Sequence, residues 1–400
     1  MTKTALIAGA GIAGPAVAYW LNAAGWRTTI VERAPAPRAG GYVIDVWGLG
    51  YDLAARMGLL AEIEAIGYHV KELRVVGDRG QRIASFGTAV FDELTDGRFV
   101  TVARSDLSRL LLGAAGSATE LIFGDEVAGL RDDRDGVVVQ LAGGQCRRVD
   151  LLVGADGLHS RVRRLAFASD PPAEKPLGYA VAAFEAEAYR PRDPDVYMMH
   201  TKPGRMLGRF TQRGERTLFL FVFAHQGALP SDLCEQKALL ERVYRGDGWE
   251  TDKVLEHLRE TEELYLDRVS QIIAPAWSKG RVVLLGDAAF CVSLLAGQGS
   301  ALAIIAAYVL AGELGRADGD IESGIATYER RLRPFIAAKQ AAAVRFAGAL
   351  APRTRFGLWF RNRVIQSLGI PGLAKLAVGR EVIDRLTLPE YPLAGAYVRP

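Results

Sequence analysis

Six residues near the start of the chain, Gly9-Ala10-Gly11-Ile12-Ala13-Gly14, have the spacing needed to hold a pyrophosphate. The first glycine permits a tight turn. The second lets the backbone approach phosphate oxygens, and the third lets the following helix pack closely on the preceding strand. A phosphate placed there meets free N–H groups and the positive dipole end of that helix, at Ile12 and Ala13. Glu32 stands 18 residues after Gly14, with Arg33 beside it. A carboxylate there can accept hydrogen bonds from the hydroxyls of an adenosine ribose. It disfavours a ribose 2′-phosphate, so the pattern suits FAD or NAD rather than NADP.

Such groups need elements to hold them. Thr4–Ala8 is a short apolar run of the kind found in buried parallel strands. A helix over Ala13–Ala24 carries Pro15 in its first turn and is closed by Gly25. Thr28–Glu32 is a second β-rich run, and Val149–Ala155 and Val282–Leu285 are two more buried strands. A helix is expected over Leu107–Ala115, and short strands over 121–149 turn at Asp132-Asp133-Arg134-Asp135-Gly136. Segments within 73–100 suggest a small sheet, and Ala180–Ala186 and Leu218–Ala224 mark a larger one across 176–226. Residues 235–262 read as charged helix. A long apolar helix follows over Ala301–Leu314, and the pattern is helical from Ile325, interrupted at Pro352, Gly369 and Pro371.

Two later segments narrow the cofactor. One is Asp150-Leu151-Leu152-Val153-Gly154-Ala155-Asp156-Gly157-Leu158-His159-Ser160-Arg161-Val162-Arg163. The other is Gly280-Arg281-Val282-Val283-Leu284-Leu285-Gly286-Asp287-Ala288-Ala289. With these, the chain resembles the single-component FAD-dependent aromatic hydroxylases, the p-hydroxybenzoate hydroxylase-like monooxygenases. The resemblance covers roughly the first 320 residues and is nearest to the tetracycline-inactivating and polyketide hydroxylase branch. It implies FAD as resident cofactor, NADPH or NADH as transient reductant, and hydroxylation by O2 through a flavin C4a-hydroperoxide. It also implies roles. Asp156 lies near the pyrophosphate and the passing nicotinamide, Asp287 holds the ribityl chain, and Arg104 and Arg38 lie near the flavin and the phosphates. Asp45 lies where the chain passes the flavin, as a tentative ring or substrate contact. Three positions depart from the family pattern. Phe290 stands where His is usual, Leu294 or Leu295 where Pro is usual, and Ala301 where Asn is common. They bear on the stiffness of the loop and on the face that meets oxygen.

Physical chemistry gives the second loop a role beside the resemblance. Gly297-Gln298-Gly299 opens the long apolar helix, whose free N–H groups form an anion site. A flavin pyrimidine there would gain charge on reduction, and the helix dipole would stabilise that charge by ~1 kcal/mol or more.

Composition excludes several classes. Half of the 400 residues are hydrophobic and 24% are charged, an ordinary globular balance. Cys146, Cys234 and Cys291 make neither a zinc spacing nor a disulfide framework, which points to a reducing, cytoplasmic setting. His69, His159, His200, His225 and His257 are dispersed, so no metal is expected. Ser160 reads as a helix N-cap rather than a nucleophile. The longest apolar run, Ala301–Leu310, is too short for a membrane span. Residues 330–400 hold 13 Lys+Arg against 3 Asp+Glu, a charge of +10, leaving −7 on the other 329. With no nucleic-acid motif present, that charge reads as solvated helix edges. Neutralising Arg361 and Arg363 should then alter solubility or association, not selectivity. The partners expected are an aromatic small molecule and O2, with the chain a monomer or homodimer.

The expected architecture is α/β, with a discontinuous Rossmann-like FAD domain over 1–70, 99–175 and 268–325. A mostly antiparallel sheet domain, 71–98 and 176–267, covers the flavin, and 326–400 form C-terminal helices. Tyr179, Phe184, Tyr197, Phe210, Phe219, Phe221 and Phe223 divide between the core of that sheet and an apolar pocket. No convergent set of charges is legible there. Arg209 is a possible anchor, and Arg213 and Arg216 ring a turn at Gly214. A multi-ring phenol or polyketide is therefore favoured over a small benzoate. The six tryptophans stand alone, so the W-x-W-x-I-P pattern of flavin halogenases is absent.

Overall fold

The computed structural model describes residues 2–37, 42–68, 70–87, 89–90, 95–187, 189–212, 216–368 and 386–392. Arg38, Gly40, Gly41, His69, Arg213, Gly214, Gly369 and Pro371 lie outside them.

The chain opens with β1 (Thr4–Ala8), α1 (Ala13–Ala23) and β2 (Arg27–Glu32). Gly25, at φ +82°, ends α1. Its N–H bonds Asn22 O at 2.9 Å and the Trp26 N–H bonds Leu21 O at 3.0 Å, the paired closure that a left-handed glycine allows. Next come β3 (Val43–Trp47), α2 (Gly48–Arg56), α3 (Leu60–Ile66), β4 (Glu72–Val76), β5 (Arg82–Gly87), β6 (Phe99–Ala103) and α4 (Arg104–Ala115). Then β7 (Thr119–Phe123), β8 (Val127–Asp133), β9 (Gly136–Leu141), β10 (Cys146–Val149), β11 (Leu151–Gly154) and α5 (Arg161–Ala166) follow.

A six-stranded sheet has the order β17-β18-β11-β1-β2-β7, where β17 is Ser278–Lys279 and β18 is Val282–Leu284. From β18 to β7 all neighbours are parallel, and only β17 runs against its partner. Both faces are covered, so β11 and β18 are buried at every position, as their unbroken apolar runs require. One core joins this sheet to α1, to the short helix α8 (Asp287–Phe290), and to α9 (Gly299–Arg316) and α10 (Ile321–Leu350). The helix α9 is longer than the apolar run read from the sequence. Its 18 residues are long and apolar enough to cross a bilayer, yet most are buried inside the fold.

A seven-stranded sheet has the order β16-β12-β15-β14-β13-β4-β5. Its later strands are β12 (Ala173–Ala186), β13 (Val196–Lys202), β14 (Arg205–Thr211), β15 (Thr217–Ala224) and β16 (Tyr265–Ile273). Neighbours are antiparallel except β13 and β4. Strand β16 pairs with β12 in this sheet over Tyr265–Ile273. It thus crosses the boundary drawn at 268, because its pairing partner lies in the second sheet and its position in the chain does not reveal that. Two-residue alternation divides β15. Phe219, Phe221 and Phe223 pack against α6 (Leu233–Tyr244) and α7 (Thr251–Glu260), while Leu218, Leu220 and Val222 face the other way. The last described helix, α11 (Arg355–Leu368), follows a break at Pro352 and packs on β5 and β13.

Candidate cofactor and substrate site

The glycine turn leaves no room for side chains. Gly9 sits at φ +103°, and a Cβ on it would lie 2.5 Å from Ala155 O. A Cβ on Gly14 would lie 1.9 Å from Gly9 O, so the helix could not seat on the strand. At Gly11 an added Cβ would meet Arg104 Nη2 at 3.3 Å, which sets that guanidinium over the turn. No side chain caps α1 at Ile12, so the first amides of the helix, at Ala13 and beyond, face the cleft. Glu32 is engaged with the backbone. Its Oε2 accepts the Ala10 N–H at 2.8 Å and its Oε1 the Ala34 N–H at 3.0 Å. Arg33 is exposed on the rim of the cleft.

Asp156 caps α5. Its Oδ2 accepts the N–H of Arg161 at 2.7 Å and of Val162 at 3.1 Å, and Oδ1 accepts the Ser160 hydroxyl. Ser160 Oγ accepts the Arg163 N–H at 2.9 Å, the N-cap read from the sequence. The buried Arg163 guanidinium donates to Leu158 O and, at 2.8 Å, to Ala288 O, and so ties this segment to the one bearing Asp287. His159, half exposed, pairs with Asp267 at 2.9 Å on the cleft wall, and that bond raises its pKa.

At the other end, Gly297 adopts a left-handed conformation at φ +66° and α9 begins two residues on. Ser293, at φ +140°, is a strained non-glycine residue whose Oγ accepts the Leu295 N–H at 3.3 Å. Two carboxylates flank the loop. Asp45 Oδ2 lies 3.8 Å from the place of a Cβ on Gly297, and Asp287 Oδ1 lies 3.6 Å from the place of one on Gly299. Gln298, between the two glycines, also lines the cleft. Asp287 opens onto the cleft but is walled in by protein. That enclosure raises its pKa, and Arg104 pulls it back. Burial lifts the Asp45 carboxyl to about 6, opposed by the Thr101 hydroxyl that donates to it at 2.6 Å. Of the three departures, Phe290 is buried against Trp277, ring centres 4.7 Å apart. Leu295 joins the core under the sheet, and Ala301 packs on Gly50, where a Cβ would approach it to 2.7 Å.

These pieces line one cleft of about 2360 Å³. It runs from the glycine turn past Asp287 and Gly297–Gly299 to Tyr197, Met199, Met206 and Phe210 on the seven-stranded sheet. Arg209, the possible anchor, belongs to the opposite face. It is 2% exposed, donates to Glu250 at 2.6 Å and lies over the Trp249 ring, because β14 turns alternate residues away from the cleft. Arg216 does line the cleft, paired with Glu185 at 3.2 Å. The C-terminal basic segment also needs correction. Arg361 is not a solvated helix edge but is 8% exposed in the cleft wall, donating to Thr201 Oγ1 at 2.7 Å and Leu350 O at 3.3 Å. Among the described residues no group of His, Cys, Asp and Glu could hold a metal.

The resemblance extends to known proteins. A family model described as FAD binding domain matches residues 2–343. An uncharacterized protein of Mycobacterium tuberculosis, Rv1260, is 36% identical over 342 residues, covering 84% of this chain and 92% of its own. A flavin-dependent monooxygenase of an unknown prokaryotic organism is 33% identical over 401 residues, covering 96% and 98%. Among solved structures, the tetracycline destructase Tet(51) matches with a TM-score of 0.82 at 30% identity, over 98% of this chain and all of that one.

Proposed function

The chain belongs to the FAD binding domain family and is an FAD-dependent monooxygenase; we propose that it hydroxylates multi-ring aromatic molecules of the polyketide or antibiotic kind, with NADPH or NADH as reductant. One observation carries this reading. The glycine turn and the apolar sheet face open onto the same cleft, with the Gly297–Gly299 loop between them. The collisions that Cβ atoms would make at Gly9 and Gly14 fit a cradle for a pyrophosphate. When bound, the flavin supplies the redox chemistry: two electrons come from the nicotinamide, one oxygen atom goes to substrate carbon and the other leaves as water.

The protein's own share is binding, orientation and exclusion of water. In this reading Gly9, Gly11 and Gly14, with the amides at Ile12 and Ala13, would hold the pyrophosphate, with Arg33 on the rim of the cleft, and Arg38 stays a candidate phosphate contact from the sequence pattern alone. Glu32 braces the turn through the Ala10 and Ala34 amides, and its carboxylate would accept ribose hydroxyls. Asp287 would take the ribityl hydroxyls, Arg104 would steady the flavin, and the amides at Gly297, Gln298 and Gly299 would hold its pyrimidine part. Asp156 acts by fixing the turn it caps, and Asp45, beside Gly297, would be a ring or substrate contact. The six-stranded sheet with its helices forms a Rossmann-like cofactor domain. The seven-stranded sheet, from β12 to β16 with β4 and β5, forms the substrate domain. The name of the tetracycline destructase relative, together with the size of the cleft, favours several fused rings over one.

Purified protein should be yellow, oxidise NADPH or NADH faster with a bound multi-ring phenol, and place isotope from labelled O2 in the product. Hydrogen peroxide with no labelled product, across a panel of such phenols, would point instead to a reductase or a ligand-sequestering flavoprotein.

A further inference from the structure

Strand β13 presents Tyr197 and Met199 to the cleft, and Thr201, on the same face because alternate residues share one, holds Arg361 of the cleft wall. Tyr197 marks the end near the cofactor loop, because the Asp45 charge acts on it. Thr201 marks the far end, four residues or roughly 13 Å along the strand. There Arg361 reaches in from α11, through the gap between Leu350 and the sheet.

This guanidinium is an unusual thing to bury. Both of its acceptors are neutral, the Thr201 hydroxyl and the Leu350 carbonyl, and its Nε is buried without any partner. No carboxylate faces it among the described residues. Burial lowers its pKa to about 10, so it stays charged at neutral pH. A buried cation with no counter-ion is costly, and an anion that arrives with a ligand removes that cost. Val364 and Ile365 complete an apolar wall around it, in which such a pair would be shielded from water.

We propose that Arg361 is the anchor for an anionic oxygen, a carboxylate or an enolate, carried at the end of the substrate remote from the ring that is hydroxylated. This rests on the monooxygenase reading above and deepens it. The sheet supplies shape, and the charge that fixes which end enters first comes from the C-terminal helix. The span from Tyr197 to Thr201 is longer than a single aromatic ring, so one benzoate could not fill both ends at once.

The test uses the FAD-loaded full chain and equilibrium binding, read from the visible spectrum of the bound flavin without turnover. The first probe pair is a hydroxyanthraquinone carboxylic acid and its methyl ester. The second is an enolised cyclic 1,3-diketone fused to an aromatic ring, and its enol methyl ether. Wild-type protein should bind each acidic probe at least ~10-fold tighter than its neutral partner. Arg361→Gln should bring both ratios close to one by weakening the acidic probes alone, and Arg361→Lys should keep part of the preference. Flavin content should be unchanged in both variants. A wild-type ratio near one for both pairs overturns the proposal whatever the variants do. So does an acid preference that survives in Arg361→Gln, or a variant that loses thermal stability and weakens acid and neutral probes alike, which would mark Arg361 as a strut. Yellow protein with no acid preference refutes the anchor alone, whereas protein that binds no flavin refutes the monooxygenase reading with it.

Discussion

At the glycine turn one missing methyl group decides the geometry, whereas at the sheet end the geometry comes from which face of a strand a residue occupies. The turn is local. Gly9, Gly14 and Ala155 approach one another so closely that no other residue type fits at the two glycines. The sheet end is assembled from β13, β14 and β15 and from a helix some 160 positions further on. There a Cβ on Gly208 would lie 2.7 Å from the Tyr197 hydroxyl, the tip of a side chain rather than backbone, and the shape comes from an alternation that sends Phe210 to the cleft and Arg209 behind it. Constraints of the first kind leave a signature in the sequence, and those of the second kind need the register of the strands before they can be read.

The sharpest way to break this comparison is Gly14→Ala. With its Cβ 1.9 Å from Gly9 O, the backbone must move, and the cost should exceed about 4 kcal/mol. The variant should lose its flavin on gel filtration, measured as the ratio of flavin to protein absorbance. Retained flavin would show that the turn is not the constraint it appears from its geometry to be. Next in size is Phe221→Ala, on the face of the sheet turned from the cleft. Phe221 is fully buried between Phe184 and Tyr244, so urea unfolding should register a loss of about 3–5 kcal/mol. Flavin content and the affinity for substrate-like phenols should hold. A comparable loss of that affinity would mean that the two faces are not independent.

The smallest effect lies at the junction of the two ends. Asp45 titrates at about 6 in the fold against 3.8 as the ordinary value. As pH rises through that window, the unfolded chain gives up a proton that the native state keeps. Stability should therefore fall between pH 3.8 and about 6 and level off above. Asp45→Asn should remove this slope, seen as unfolding midpoints that no longer separate across the window. An unchanged slope would assign the titration to another group.

How much was legible follows the same division. Gly9 and Gly11 were legible through the spacing of the motif although the groups that crowd them, Ala155 O and Arg104 Nη2, come from distant segments, whereas Gly14 and Gly25 could be read because each is fixed by backbone contacts within a few residues. The Ser160 cap was legible for the same reason. The second use of Glu32, as acceptor for the Ala10 and Ala34 amides, was not, since any carboxylate at the end of β2 has the same sequence signature. Strand β16 fell across a boundary because nothing in Tyr265–Ile273 says which sheet will pair with it. Arg209 and Arg361 each lie on the side opposite to the one expected. One is an arginine in a strand that turns behind the sheet, and the other is an arginine in a basic helix that turns inward. The signal that could have separated them was period, with Arg209 out of step with Phe210 and Arg361 in step with Ile365 on the buried stripe of α11.

The helix α9 has a consequence for how the chain is made. It is apolar on nearly every side because it lies between α1 and α2, which precede it, and α10, which follows it in the chain. When α9 leaves the ribosome, the far wall of its slot has not yet been synthesised. Until residues 321–350 emerge, the nascent chain displays eighteen residues with the length and composition of a membrane anchor. During that interval a chaperone and a targeting factor would compete for the same segment, and prompt docking of α10 is what closes the interval.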